Sequence, residues 1–176
     1  MFRTNSAYAR FWEGRTAWDV VVRTCRDLAR QTAAWVPVPG LRAALLRHVV
    51  VFAKALKVHL REGEDLPSEL GAGIVGERLL PPDELAMLIA ARSRPLYCLA
   101  YMTTLVARAH THGGMSEKCQ MALDGGLCSL QGAVATCDKL FNTPIPCARA
   151  RGGERACGGA RALPLSLWLV LSRLAP

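Results

Sequence analysis

The sequence is poor in aromatic residues, in long uncharged runs and in acidic residues near its N-terminus. Aromatic side chains make up 6% of the 176 residues, whereas 51% are hydrophobic and 20% are charged, a balance that favours a folded chain over a disordered one. The longest uncharged stretches, Pro95 to Ala107 and Gly125 to Cys137, fall short of the roughly 18–20 residues of a membrane-crossing helix. We therefore expect no membrane-spanning helix within these residues.

The seven cysteines lack the spacing of a metal site or of a redox pair. No two of them are separated by two residues, as zinc knuckles and thioredoxin-like motifs require, and their odd number argues against a disulfide scaffold. Cys119, Cys128 and Cys137 recur every nine residues, which places neighbours on opposite faces of a helix. We expect the cysteines to be small, buried packing residues.

Positive charge is concentrated in the first third of the chain. Residues 1–61 carry eleven basic and three acidic side chains, residues 62–142 carry six and ten, and residues 143–176 carry five and one. Such a potential attracts nucleic acid, anionic lipid or small anions. We expect no nucleic-acid partner, because the basic residues do not alternate with aromatic ones and no helix-turn-helix is visible.

Apolar residues recur at steps of three and four, which predicts an all-α fold of long amphipathic helices. The first two predicted helices run from Ser6 to about Val36 and from Leu41 to Leu60. Both have a basic outer face, and that of the second carries Arg42, Arg47, Lys54, Lys57 and Arg61. A loop over 62–82, a short helix over 83–92 and two longer helices that begin at Arg94 and Ser116 follow.

The helical pattern ends near residue 146, so we divide the chain there. Residues 1–146 form the predicted helical region, and the last of its helices ends at Asn142. Residues 147–176 form a predicted irregular tail, rich in arginine and glycine, with a short apolar segment near its end. Four arginines between residues 147 and 162 would be costly in hydrocarbon, and the glycines there would weaken a helix in water.

Enzymatic motifs are missing from the sequence. It contains no phosphate-binding glycine loop, no zinc-protease motif and no nucleophile elbow. His110 and His112 are two residues apart on a predicted helix and point to different faces, so we predict no metal site there. We expect His48 and His59 to be ordinary residues of a helix face. The sequence therefore predicts no catalytic residue, no metal ligand and no cofactor, and a protein that is not an enzyme.

More specific information comes from the run FRTNSAYARFWEGRTAW at residues 2–18, which we call the signature run. Its composition is unusual, and it is followed in order by RPLYCL at 94–99, CDKLFN at 137–142 and TPIP at 143–146. This series resembles the bestrophin family, in its bacterial, plant and algal branch. In that family the signature run lies at the end of the second membrane helix. The resemblance covers residues 2–146.

The resemblance implies a chloride or anion channel. Family members are homopentamers around one pore, and each subunit has four membrane helices and an extramembrane helical bundle that extends the pore. This chain would supply mainly that bundle. The implied partners are inorganic anions, namely chloride and also nitrate or bicarbonate, together with membrane lipid and further copies of the subunit. The implied location is a membrane, and the thylakoid membrane of chloroplasts for a chain from a photosynthetic eukaryote. The basic helix faces agree, because a positive potential concentrates anions.

The resemblance also assigns residues to the pore. Phe2 corresponds to the last ring of the hydrophobic neck. The second narrowing follows the isoleucine and proline of the TPIP motif and points to Ile145, Pro146, Cys147 and Ala148. From Cys147 onward the sequence departs from the family pattern.

Six polar or aromatic residues of the signature run are expected to set the start of the helix and the contacts between subunits. They are Arg3, Asn5, Arg10, Trp12, Glu13 and Arg15. Arginine and glutamate side chains beside aromatic ones can form hydrogen-bonded ion pairs at a tightly packed interface between subunits. The alternative is that they only stabilise a helix hairpin, with Arg10 and Glu13 as an i,i+3 pair.

Two alternatives to a complete channel subunit remain. The sequence is expected to be truncated at both ends relative to the family, as a fragment, a splice form or a faulty gene model. A soluble all-α module that binds full-length channel subunits is the first alternative function. A peripheral protein on an anionic membrane surface is the second.

Overall fold

The computed structural model describes residues 2–61, 70 and 79–143, with side chains from residue 7 onward. The main helices in this part are α1 (Phe2–Trp35), α2 (Pro39–His59), α3 (Pro82–Ala90), α4 (Arg94–Thr111) and α5 (Glu117–Asn142). No β-strand occurs among these residues, so the all-α prediction is confirmed. None of the described helices has an apolar stretch long enough to cross a bilayer. The predicted tail and most of the predicted loop over 62–82 lie outside the described residues.

Prolines and one serine determine where four of the helices begin. Pro39, Pro82 and Pro95 each lie in the first turn of a helix, where the missing N–H costs no hydrogen bond. Ser116 is the N-cap of α5, and its hydroxyl oxygen accepts a hydrogen bond from the N–H of Cys119. These starts lie within a few residues of the predicted ones, because capping and proline effects are local.

A tight turn at Gly113 and Gly114 reverses the chain between α4 and α5. Gly114 has a φ of +69°, in the left-handed region that favours glycine. A Cβ atom on Gly113 would lie 2.4 Å from the carbonyl oxygen of Ala109. The N–H of Met115 donates to that same oxygen, and Nδ1 of His110 lies 2.8 Å from the Met115 carbonyl and donates to it. His110 therefore closes the turn between the two helices.

Four of the helices pack in a ring in the order α1, α2, α4, α5, and α3 lies on α4. Contacts between Arg10 and Leu140, and between Leu28 and Gly126, show that α1 and α5 are antiparallel. The core between the helices is apolar. Its largest fully buried side chains are Phe52, Leu56, Leu88, Met102, Leu123 and Leu130. Burial of these side chains is the main force that holds the helices together.

The second basic face is less exposed than the sequence predicts. Arg47 alone of its five basic residues is exposed, and the others are half-buried. The reason is that α2 packs against both α1 and α4, so the neighbouring helices cover part of these side chains. Of the two basic helix faces, that of α1 is therefore the more exposed, with Arg15, Arg23, Arg26 and Arg30 all exposed.

Candidate functional site

Two residues of the signature run reach across to the end of α5. One nitrogen of Arg10, Nη2, donates to the carbonyl oxygens of Leu140 and Thr143 at 2.6 and 2.5 Å. Nζ of Lys139 donates to Oε1 of Glu13 at 2.9 Å. Arg10 and Glu13 therefore both contact α5, and they do not form the i,i+3 pair with each other.

The contacts of Arg10 satisfy groups that a helix end cannot satisfy by itself. The last four carbonyls of a helix lack N–H donors from a following turn and carry partial negative charge. The N–H and the hydroxyl of Thr143 both donate to the Lys139 carbonyl, at 3.1 and 2.6 Å. The guanidinium of Arg10 donates a hydrogen bond to the next carbonyl, that of Leu140. A permanent cation thus lies at the negative end of α5, where it is favoured electrostatically.

A third contact joins α2 to the same helix end. Nε2 of His59 lies 2.9 Å from Oδ1 of Asp138. Asp138 and Lys139 are adjacent in sequence, and their side chains contact different neighbours, α2 and α1 respectively. We refer to Arg10, Glu13, His59, Asp138 and Lys139 as the α5-end cluster. This cluster brings the start of α1, the end of α2 and the end of α5 together at one end of the bundle.

The other predicted site residues are not part of the α5-end cluster. Trp12 is 57% exposed, its neighbour one turn earlier, Tyr8, is 65% exposed, and Arg15 is exposed as well. The described part does not include the side chains of Phe2, Arg3 and Asn5. It also ends before the four predicted aperture residues, Ile145, Pro146, Cys147 and Ala148. The neck, the aperture and the contacts between subunits therefore stay predictions.

A second polar cluster, which sequence reasoning missed, lies between α2, α3 and α4. His48 of α2 is 4% exposed, and its ring stacks on that of Tyr101 in α4 with a centroid distance of 4.4 Å. Nδ1 of His48 lies 2.9 Å from the Ala44 carbonyl and must carry the hydrogen that it donates there. Nε2 lies 3.7 Å from the carboxylate of Glu84, which accepts a hydrogen bond from the Tyr101 hydroxyl at 3.0 Å.

Burial decides how this second cluster titrates. It lowers the pKa of His48 below the ordinary 6.5, although the Ala44 carbonyl and the Glu84 carboxylate act in the opposite direction. Burial, together with the hydrogen bond to Glu84, raises the pKa of Tyr101 above 10. His48 is therefore neutral at pH 7. Its position three residues after Leu45 and four before Phe52, on the apolar stripe of α2, is the signal that marks it as buried rather than as an ordinary helix-face residue.

The five cysteines of the described part are free thiols, and they occupy different environments. Cys98 and Cys137 are buried as expected, and burial raises the pKa of Cys98 to about 12 and that of Cys137 to about 11. Cys128 is exposed, contrary to the expectation, because the nine-residue spacing places it on the face opposite Cys137. In the described part of the chain, no three metal-binding side chains lie close enough to hold an ion.

Comparison with known proteins identifies the family. A family profile described as "Bacterial/Fungal Bestrophin protein" matches residues 1–171. The chain belongs to the bestrophin family. Its fold matches the crystal structure of a bacterial bestrophin homolog from Klebsiella pneumoniae with a TM-score of 0.72 and 26% identity, over 82% of this chain and 52% of that one. The family resemblance predicted from the signature run is therefore confirmed.

Other bestrophin relatives carry names that describe transport. A protein of Nostoc sp. named a voltage-dependent anion channel-forming protein is 32% identical over 155 residues, which are 84% of this chain and 48% of the relative. The "Voltage-dependent chloride channel 2, chloroplastic" of Arabidopsis thaliana is 30% identical, over 86% of this chain and 35% of that protein. The chain thus spans about half, or less, of the length of the proteins that it matches.

Proposed function

We propose that this bestrophin chain is part of an anion-channel subunit that lets chloride move passively across a membrane. The observation that carries the proposal is the match of the helical bundle to a solved bestrophin homolog, in a family whose relatives are named chloride or anion channels. The proposal gives the chain no catalytic step, and the names of the relatives point away from an enzyme.

The exposed charges of α1 support transport of anions. Arg15, Arg23 and Arg26 are exposed along one helix, and Arg30 is exposed beside Asp27 at 3.4 Å. Two exposed carboxylates, Asp19 and Asp27, lie on the same helix, so the four arginines leave its surface net positive. A positive surface raises the local concentration of small anions, and the effect grows where several such surfaces face one channel. Nitrate and bicarbonate carry the same single charge as chloride and are included in the proposal.

The proposed assembly is a homopentamer in a lipid membrane. Cyclic symmetry would repeat the α1 surface five times around one axis. For a chain from a photosynthetic eukaryote we propose the thylakoid membrane, because two similar Arabidopsis thaliana proteins are named chloroplastic.

Chloride efflux from liposomes tests the proposal. The complete product of the transcript that encodes these residues, with its length established by sequencing, is purified, and native mass spectrometry gives its subunit number. It is then reconstituted in vesicles loaded with chloride. We expect efflux well above that of protein-free vesicles, and we expect Arg23→Glu with Arg26→Glu to slow it most at low ionic strength, because salt screens exposed charges over about 10 Å at 0.1 M.

The control is Arg92→Glu, which changes an exposed cation outside α1 and should leave efflux nearly unchanged. A folded, membrane-inserted product without efflux would contradict the proposal. The alternative, an interaction module that binds full-length subunits, predicts instead that the chain alone is inactive and co-purifies with a complete bestrophin subunit.

A further inference from the structure

Arg10 differs from the rest of the α5-end cluster in what it contacts. The pairs Glu13–Lys139 and His59–Asp138 join side chain to side chain, whereas both acceptors of Arg10 are backbone carbonyls. A contact between two side chains can be lost without a change in the backbone conformation. A contact with two carbonyls constrains the backbone itself.

The two carbonyls lie on either side of the helix end. Leu140 is in the last turn of α5, and Thr143 is the C-cap, with an extended backbone at φ −93° and ψ 109°. This extended conformation is the one that a residue before proline favours, and Pro144 follows in the sequence. Because a single nitrogen of Arg10 donates to both oxygens, it holds the first extended residue against the last helical turn.

We propose that Arg10 is a positioning residue for the anion pathway, and this inference rests on the proposed function. Arg10 belongs to the first turns of α1, and its acceptors lie where the chain leaves α5 and enters the TPIP motif. The guanidinium therefore sets the direction in which the backbone leaves α5 relative to α1. A change at the start of α1 would therefore reach the C-cap of α5 through Arg10.

The test compares Arg10→Ala and Arg10→Lys with the matched control Glu13→Gln/Lys139→Gln. The control removes an ion pair between the same two helices and leaves the carbonyl contacts in place. Two quantities are measured on the complete product: hydrogen exchange of the amides at 139–143, and chloride efflux per amount of inserted protein. Exchange does not depend on transport, so the contact can be tested separately from the proposed function.

We expect Arg10→Ala to speed exchange at 139–143 and to lower efflux about tenfold or more, since a hydrogen bond to a charged group is worth at least that factor in an equilibrium constant. Arg10→Lys should restore part of both, because it keeps a cation with several donors. The control variant should leave exchange at 139–143 close to that of the wild type, because it removes an exposed pair that contacts no backbone carbonyl. If Arg10→Ala does not fold, the same two measurements on Arg10→Lys test the inference, and we expect values between those of the wild type and a complete loss.

The possible failures are distinct. Normal efflux in Arg10→Ala with faster exchange would overturn the inference and leave Arg10 as a stabilising cap only. Unchanged exchange in Arg10→Ala would overturn the contact itself. An equal rise of exchange in the control variant would also overturn it, because any contact between the helices would then suffice. A wild-type product without efflux would overturn the proposed function instead.

Discussion

His48 shows how one buried side chain links the stability of the bundle to pH. Its imidazole is neutral in the folded chain because burial lowers its pKa, with Glu84, Tyr101 and Arg47 as the titratable or charged groups nearby. In the unfolded chain the same group takes up a proton near pH 6.5. The stabilisation is therefore complete above pH 6.5 and is lost as the pH falls through 6.5 toward the folded pKa.

We predict that replacing His48 by glutamine makes the free energy of unfolding less dependent on pH between 7.5 and 5, because glutamine does not titrate. Urea unfolding followed by circular dichroism at several pH values measures this. His112→Gln is the matched control, since His112 is exposed at the turn after α4. Equal pH profiles for the wild type and His48→Gln would show that His48 does not control this dependence.

At the scale of the helix, α5 carries glycines with different roles. A Cβ atom on Gly126 would lie 2.8 Å from Cδ2 of Leu28, which is 3% exposed and has little room to move. Among the described residues, a Cβ atom on Gly132 would meet nothing within 4 Å. Gly126 therefore permits the close approach of α1 and α5, whereas Gly132 serves no such contact in the part of the chain that the structure describes.

We predict that Gly132→Ala raises the free energy of unfolding by about 0.5–1 kcal/mol, the gain in helix propensity. Gly126→Ala should raise the free energy of unfolding less, or lower it. The same gain in helix propensity is offset there because the new methyl group displaces Leu28. Denaturant unfolding of both variants gives the comparison. If Gly126→Ala stabilised the chain as much as Gly132→Ala, the approach of the two helices would not depend on the glycine.

At the scale of the whole molecule, stability depends on the core inside the helix ring. Phe52 is fully buried in α2, which packs against both α1 and α4. We predict that Phe52→Ala lowers the free energy of unfolding by about 3–5 kcal/mol through lost burial and the cavity that remains. Met87→Ala, at a residue that is 61% exposed, should change it by less than about 0.5 kcal/mol. Thermal and denaturant unfolding check both, and similar losses would contradict this account of the core.

Much of the fold could be predicted from local patterns. The start of α5 follows from Ser116, the start of α4 from Pro95, and the turn between them from Gly113 and Gly114. The carbonyl acceptors of Arg10 could not be predicted, since they are 130 and 133 residues away in the chain and carry no side-chain signal. The family resemblance of the signature run singled out Arg10 as a candidate contact residue, but it did not predict which atoms Arg10 contacts.

Local sequence patterns specified the all-α class, the starts of α2, α3, α4 and α5 to within a few residues, and the bestrophin family, because caps, prolines, apolar spacing and the signature run act within a few residues or are recognised as motifs. The predicted start of α1 at Ser6 was wrong, because the helix already includes Phe2. Helix packing determines which faces are exposed and which polar groups meet. It half-buried most of the basic residues of α2, enclosed His48 beside Glu84 and Tyr101, and placed Arg10 on the end of α5. The physical reason is that burial and long-range hydrogen bonds depend on how four helices pack together, which no single segment specifies.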